Sequence, residues 1–352
     1  MQYSHSHLWP GVPLALGSAV LFGAAAPLAK LLLGKVDPWL LAGILYVGAG
    51  VGLAIFHFGR KAFGLEPVEA PLSISDLPWL AAVIIIGGGV GPLLLVFGLL
   101  LTSAASGSLL LNLEGLATMA IAWIVFRENV DGRLLLGAFS ILAGAVLLTW
   151  NGERLELDMG GLLIAGACLA WGIDNNLARK LSSADPVQIA MLKGLVAGAV
   201  NLVIAFAFGA AMPPLGYAAG GAVVGFLAVG VSLVFFMLGL RHLGTARTGA
   251  YFSLAPFIGA AVSFGLFGEE LSAHFVVAAL LMAFGLWLHL NERHDHKHEH
   301  EAMEHEHAHV HDEHHRHFHP DEVNEPHSHW HRHVPMQHKH PHYPDLHHRH
   351  EH

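Results

Sequence analysis

Up to about residue 291 the chain is a succession of apolar runs, each long enough for one membrane-crossing helix and separated by short polar punctuation. A helix that crosses the hydrocarbon layer needs roughly 20 predominantly apolar residues. By that measure the pattern predicts ten spans, over 12–33, 38–58, 77–101, 104–126, 132–150, 160–179, 186–209, 216–240, 247–268 and 273–291. The connections are short, so the spans should form a compact bundle without a large soluble insert. One run is interrupted in an unexpected place. WGIDNNLARK, from Trp171 to Lys180, sets an Asp and two Asn inside a helix otherwise suited to lipid.

Composition agrees with the pattern. Of 352 residues, 54% are hydrophobic and 13% charged, with a mean hydropathy of +0.51. A soluble domain carries about 25% charged residues. The expected fold class is therefore an all-α membrane protein with a polar appendage. The N-terminal MQYSHSHLWPG lacks the basic cluster of a secretory signal, so the run after it reads as a retained first span. A single cysteine, Cys168, cannot form an internal disulfide.

Lys and Arg orient the bundle, because short cytoplasmic loops retain them. With the N-terminus inside, Arg60, Lys61, Arg127, Arg133, Arg179, Lys180, Arg241, Arg247 and Arg293 are cytoplasmic. Only Lys30, Lys35 and Arg154 then lie outside. The expected location is the plasma (inner) membrane, multi-pass, with both termini cytoplasmic.

The chain also aligns with itself. SAASGSLLLNLEGLATMAIAWIVFREN, from Ser103, matches TARTGAYFSLAPFIGAAVSFGLFGEEL, from Thr245, at a constant offset of 142. GSAVLFGAAAPLAK, from Gly17, matches GACLAWGIDNNLAR, from Gly166, at an offset of 149. Asp37-Pro38 then meets Asp185-Pro186. Spans one to five and six to ten are thus two copies of one unit. Five is odd, so the second copy enters the membrane from the opposite side. Such inverted repeats frame secondary transporters, with the substrate site between the repeats near the midplane. The domain division is 1–11 as a cytoplasmic N-terminus, 12–150 and 160–291 as the two repeats, and 292–352 as a tail.

These halves resemble the paired EamA-type units of the drug/metabolite transporter superfamily. The resemblance rests on the ten spans, the aromatic-Gly pairs Phe22-Gly23 and Trp171-Gly172, and the small-residue entry to the fourth helix. Glu128 in VFREN and Glu270 in FGEEL, which close that helix in each copy, fit as well. It implies a ten-helix transporter fold. Relatives of this kind move amino acids, nucleotide-sugars, drugs and other metabolites. The family's proline after the small-residue run is kept as Pro256, but the first copy has Glu114 in its place.

Where the copies differ, the scaffold does not dictate the residue. Asp174, Asn175 and Asn176 stand opposite Ala25, Ala26 and Pro27, and Glu114 opposite Pro256. A charge at a helix centre costs about 2.5–3.5 kcal/mol on insertion scales, so such residues face the bundle interior and are candidates for function. Counted from the cytoplasmic side, Asp174 and Lys193 lie at depths within about 3 Å of each other on the adjacent helices of one hairpin. They are expected to form a cavity-facing ion pair, with Asn175 or Asn176 adding neutral hydrogen bonds; a purely structural pair is the alternative. Glu114, near the middle of span four, has no obvious partner. A carboxyl in low dielectric is able to load and release a proton near neutral pH, which would couple transport to the proton gradient. The alternative is a carboxyl held in place for packing.

The tail changes character completely. It holds 23 of the 29 histidines, in blocks such as HDHKHEHEAMEHEHAHVH, and has too little apolar surface to bury, so it should be disordered. Imidazole suits zinc, nickel, cobalt and copper. His294, His296, His298, His300, His305, His307, His309 and His311 are the candidate metal ligands. No other cofactor is expected to be required. The bundle lacks the His/Cys cluster of a dedicated soft-metal path, and no nucleophile–base pair, phosphate loop or zinc-hydrolase helix points to an enzyme. The expected function is secondary, outward and proton-linked transport of a small polar metabolite. The rivals are a divalent transition-metal exporter for Ni, Co or Zn, and a metal-responsive membrane sensor without transport. Expected partners are membrane lipid, a small-molecule substrate and metal ions on the tail, with a homodimer as a candidate assembly and no nucleic acid.

Overall fold

In the computed structural model, residues 11–64, 72–126, 132–150, 158–181, 184–243 and 245–290 are described. In the tail the description covers only the backbone of four short strands. The first repeat opens with α1 (Gly11–Gly23) and α2 (Ala25–Leu33), which together make one span, followed by α3 (Pro38–Ala62). Next come α4 (Leu77–Val83), a π-helical turn over Ile84–Val90 and α5 (Gly91–Leu101), again one span. The fourth span is α6 (Ala104–Leu110) and α7 (Leu113–Phe126), and α8 (Gly132–Thr149) is the fifth. The second repeat runs α9 (Met159–Ala178), α10 (Pro186–Ala207), then α11 (Leu215–Gly225), a π turn over Phe226–Val231 and α12 (Ser232–Leu243). It closes with α13 (Thr245–Phe252), α14 (Ala255–Phe267) and α15 (Ala273–Leu290).

Among the described residues, nine segments are long and apolar enough to cross a membrane. The tenth expected span is α9, whose 20 residues cover about 30 Å at 1.5 Å per residue. Asp174, Asn175 and Asn176 lower its hydropathy. Its place in the bundle comes from packing on α5 and α7.

The repeat extends to the irregularities. The π turns begin at Ile84 and Phe226, 142 residues apart. The breaks in the fourth and ninth spans, at 111–112 and 253–254, keep the same offset of 142. The matching Asp-Pro pairs explain two helix starts. Asp37 accepts from Trp39 N at 2.9 Å and Leu40 N at 3.2 Å, and Asp185 accepts from Val187 N at 2.8 Å, so each caps the helix its proline begins. At the first break, the buried Asn112 donates its side-chain amide to Leu109 O at 2.9 Å, beside the 3.1 Å bond that its own backbone N–H makes to the same carbonyl, and so closes the interrupted turn.

Packing follows the inverted two-fold relation. Twin elements meet across it: α3 lies on α10, and α8 on α15. The contact of α5 with α9 is mirrored by α12 with α1, and that of α7 with α9 by α14 with α1. The relation fails between the two faces. At the face where α2 and α5 end, α6 packs on α14 and α11 on α3; among the described residues their twins at the opposite face, α13 with α7 and α4 with α10, make no comparable contact.

Glycine allows the central crossing. Gly194 lies on the backbone of Tyr46 and Gly50, and Gly198 on that of Val47, the close helix approach that lipid-embedded bundles rely on. The described tail strands are Lys297–Glu299 with Gln337–Lys339, and Met303–His309 with His327–His333, both antiparallel. Two-stranded ladders of this kind are marginal in water. The rest of the tail, and with it the expectation of disorder there, lies outside the described residues.

Gly194→Val should destabilise the bundle by about 1–3 kcal/mol through overpacking. Gly265→Ala, where an added methyl meets no described atom within 4 Å, should be neutral. The thermal unfolding midpoint of each variant in detergent decides this; equal midpoints would show that the α3–α10 crossing is not tight.

Candidate functional site

The site is assembled on the irregular backbone near mid-membrane. A π turn inserts one residue into the helix and takes its carbonyls out of the regular ladder. In the first repeat these carbonyls find side-chain donors. Gly87 O accepts from Tyr46 Oη at 3.1 Å and from Trp171 Nε1 at 3.0 Å. Gly88 O accepts from Asn201 Nδ2 at 3.4 Å. The glycines also make room: a methyl on Gly87 would collide with the Asp174 carboxylate, and one on Gly91 with the Trp171 indole.

Lys193 reaches from α10 to place Nζ 2.5 Å from Asp174 Oδ2 on α9. The Lys193 side chain is 18% exposed and Asp174 as a whole 6%. Asp174 therefore lies in packed protein in this state, not on an open cavity wall as the sequence suggested. Its second oxygen, Oδ1, is buried and has no hydrogen-bond partner among the described residues. Tyr46 and Trp171 cannot supply one, because their protons are spent on Gly87 O.

The two asparagines do not serve the ion pair, contrary to expectation. Asn175 Nδ2 donates to Glu114 Oε1 at 3.0 Å and to Thr118 Oγ1 at 3.2 Å. Asn176 Nδ2 donates to Thr118 O at 3.0 Å and Gly172 O at 2.8 Å, tying α9 to α7. Glu114, for which the sequence offered no partner, thus has one in Asn175. It stands in the first turn of α7, just after the break, where the helix dipole favours a negative charge. Asp174 and Lys193 are close enough to act on it electrostatically.

Asn175 is exposed, and helix geometry says to what. Met159, Leu162 and Leu169 are the exposed large apolar residues of α9 and mark its lipid side. At about 100° per residue, Asn175 lies about 120–160° around the helix from them. Its exposure is to the bundle interior, beside the half-buried Glu114.

At the face where α6 packs on α14, polar groups knit helix ends together. Glu269, just past α14, accepts from Ala104 N at 2.9 Å and Ala105 N at 3.3 Å, clasping the start of α6. Lys30 donates to Leu99 O and, at 2.9 Å, to Thr102 O, capping α5. Thr102 Oγ1 donates to Asp158 Oδ2 at 2.8 Å.

Sequence reasoning missed Tyr46, Thr118, Trp171 and Asn201 as parts of the site. Thr118 follows Glu114 by one helical turn, which was a usable signal. The contacts of the other three need the helix rotations. Glu128, the side chains of Arg241 and Arg247, and those of the eight candidate metal-binding histidines lie outside the described residues.

The EamA-like transporter family matches the chain twice, over residues 9–150 and 158–291. The chain belongs to the EamA-like transporter family. It is a multi-pass membrane transporter of that superfamily. A protein of Methanothermobacter thermautotrophicus described as an uncharacterized transporter is 28% identical over 301 residues, covering 80% of this chain and 86% of that one. The Bacillus subtilis uncharacterized transporter YyaM is 25% identical over 285 residues, covering 78% of this chain and 91% of its own. A crystal structure at 18% identity superposes with a TM-score of 0.59 over 79% of this chain and 95% of that one, a likeness of fold.

Removing one partner of the buried pair should cost more than removing both charges. Asp174→Ala should lose about 3–5 kcal/mol, and Asp174→Asn combined with Lys193→Met should recover most of it. Thermal unfolding of purified protein measures both; a double variant no better than Asp174→Ala would show that the two residues are not coupled.

Proposed function

We propose that this EamA-like chain exports a small polar metabolite by alternating access, with Glu114 carrying the coupling proton. The observation that supports this most is the unequal packing of twins. An inverted repeat held in a symmetric state would make α7 on α13 equivalent to α6 on α14. Here α6 and α14 pack together and, among the described residues, α7 and α13 make no comparable contact, as expected of one end of a rocking cycle. The loop charges put the open end on the cytoplasmic side, where an exporter loads its cargo. The interior-facing Asn175 and the half-buried Glu114 then lie at the bottom of the cytoplasmic path, one helical turn from the closed gate at the break.

Glu114 suits a proton carrier for a local reason. Its carboxyl is joined to Asn175 across the α7–α9 contact, so a change in its charge alters a bond between the two repeats. The α7–α9 contact is also the one that must shift when α7 moves toward α13. Glu114→Gln should abolish transport driven by a pH gradient while leaving the folded yield and thermal midpoint unchanged. Flux in reconstituted vesicles with and without a gradient checks this, and undiminished gradient-driven flux would remove Glu114 from the mechanism.

In the same proposal the His-rich tail binds transition-metal ions and regulates the bundle. Deleting residues 292–352 should remove the sensitivity of transport to micromolar zinc or nickel and preserve flux in the absence of metal. A tailless protein that remains equally metal-sensitive would rule the tail out as the sensor.

A further inference from the structure

The Asp174 carboxylate is half used. One oxygen holds Lys193, and the other is buried without a hydrogen-bond partner among the described residues. A buried acceptor left unpaired costs about 1–3 kcal/mol, so its retention asks for a reason. The scaffold provides none, because the repeat places Ala25 opposite Asp174, and at the offset of the Asp-Pro pairs it places Leu45 opposite Lys193. Neither half of the ion pair is required to build the fold. Nor do the neighbours neutralise it completely. Asp174, Glu114 and Lys193 stand in one electrostatic cluster with two carboxyl groups to one ammonium.

Lys193 has the character of a tethered occupant. Its ammonium is a compact point charge on a flexible four-carbon stem, and it engages one oxygen. An arginine at this position could have engaged both oxygens with its fork. On one side the carboxylate is backed by backbone rather than by a side chain, since Gly87 lies against Asp174 and Gly88 against Lys193. The lysine end of the pair is the more exposed of the two, and the interior-facing Asn175 adjoins Asp174 in the chain.

We infer that Asp174 is a binding site for the ammonium group of a cationic cargo, and that Lys193 fills it when no cargo is present. The inference rests on the transport reading and names the chemical class of its substrate, a small organic cation bearing a primary ammonium. On arrival, the cargo's ammonium takes the carboxylate with both oxygens in use, and Lys193 swings out toward the open side. No covalent bond changes. The displaced ammonium of Lys193 repels a second cation, and on release of the cargo it returns to Asp174 and resets the site.

The test uses n-butylammonium, which is the lysine side chain cut from its backbone, and 1-butanol as its neutral counterpart. The readout is the thermal midpoint of the purified full-length protein. n-Butylammonium should raise the midpoint of the wild type and 1-butanol should not; Asp174→Asn should respond to neither. Removing the tethered competitor with Lys193→Met should lower the concentration of n-butylammonium needed by at least about tenfold, since the site is then free all of the time. A structural ion pair would give no gain in affinity for the probe in Lys193→Met; a loss of stability in that variant is expected in either case, because it leaves the buried carboxylate unpaired. If Lys193→Met does not fold, Lys193→Arg serves instead: its fork occupies both oxygens, so the probe concentration should rise about tenfold or more. Equal responses in wild type and Asp174→Asn, a matching response to 1-butanol, or an unchanged probe requirement in Lys193→Arg would each overturn the inference. Equilibrium binding does not depend on turnover. Binding retained without any flux supports the cation site and removes the transport reading; gradient-driven flux without binding removes the cation site alone.

Discussion

In hydrocarbon every backbone N–H and C=O must be satisfied within the protein, and the structure is organised by that requirement. Unbroken helices meet it by themselves. Each departure from the helix needs donors or acceptors from elsewhere, and those donors fix where the polar side chains go. The π turn at Ile84–Val90 draws Tyr46, Trp171 and Asn201 toward its carbonyls. The break at 111–112 draws Asn112, and the matching π turn in the second repeat lies beside the Ser18–Ser232 hydrogen bonds that join α1 to α12. Helix ends at the face where α6 packs on α14 are finished by Lys30 and Glu269. The candidate site is thus built where the backbone is irregular, and the irregularity comes in two copies.

Against that symmetric scaffold, the polar residues are unevenly shared. Asp174, Asn175 and Asn176 belong to one repeat only, and Glu114 takes the place of a proline of the other. The break of the fourth span gives Glu114 a helix N-terminus, while after the same break in the ninth span α14 begins at Ala255 with Pro256 in its first turn, a residue that has no N–H to leave unpaired. One architectural feature is used twice, for a charge in one copy and for a rigid start in the other. Two halves with the same frame and different linings can enclose a site that neither would form alone.

Much of this was legible in the residues. Apolar run length located the helices to within a few positions, and the self-alignment found the inverted repeat, because both depend only on local composition and order. The Asp174–Lys193 pairing followed from rise per residue alone, since both lie in one hairpin. The bond from Asn175 to Glu114 did not follow, because it depends on how α9 and α7 are rotated against each other. The π turns and breaks were hidden for another reason: an ungapped offset of 142 carries an insertion along unseen when both copies contain it. The burial of Asp174 was missed because the sequence shows a residue's depth and not how tightly the neighbouring helices pack around it.

The pairing of Asp174 and Lys193, 19 residues apart on consecutive helices, bears on how the protein is made. As each span emerges from the ribosome it partitions into lipid according to its own apolarity, and α9 is the described long helix that falls short of that standard. Its carboxylate is an obstacle until a cation comes alongside, and the one that pairs with it arrives in the very next span. The second repeat should therefore enter the bilayer as a two-helix unit, α9 waiting on α10. In this chain the two residues assigned to cargo would also govern the order of synthesis and insertion, and defects in biogenesis and in transport would map to the same pair.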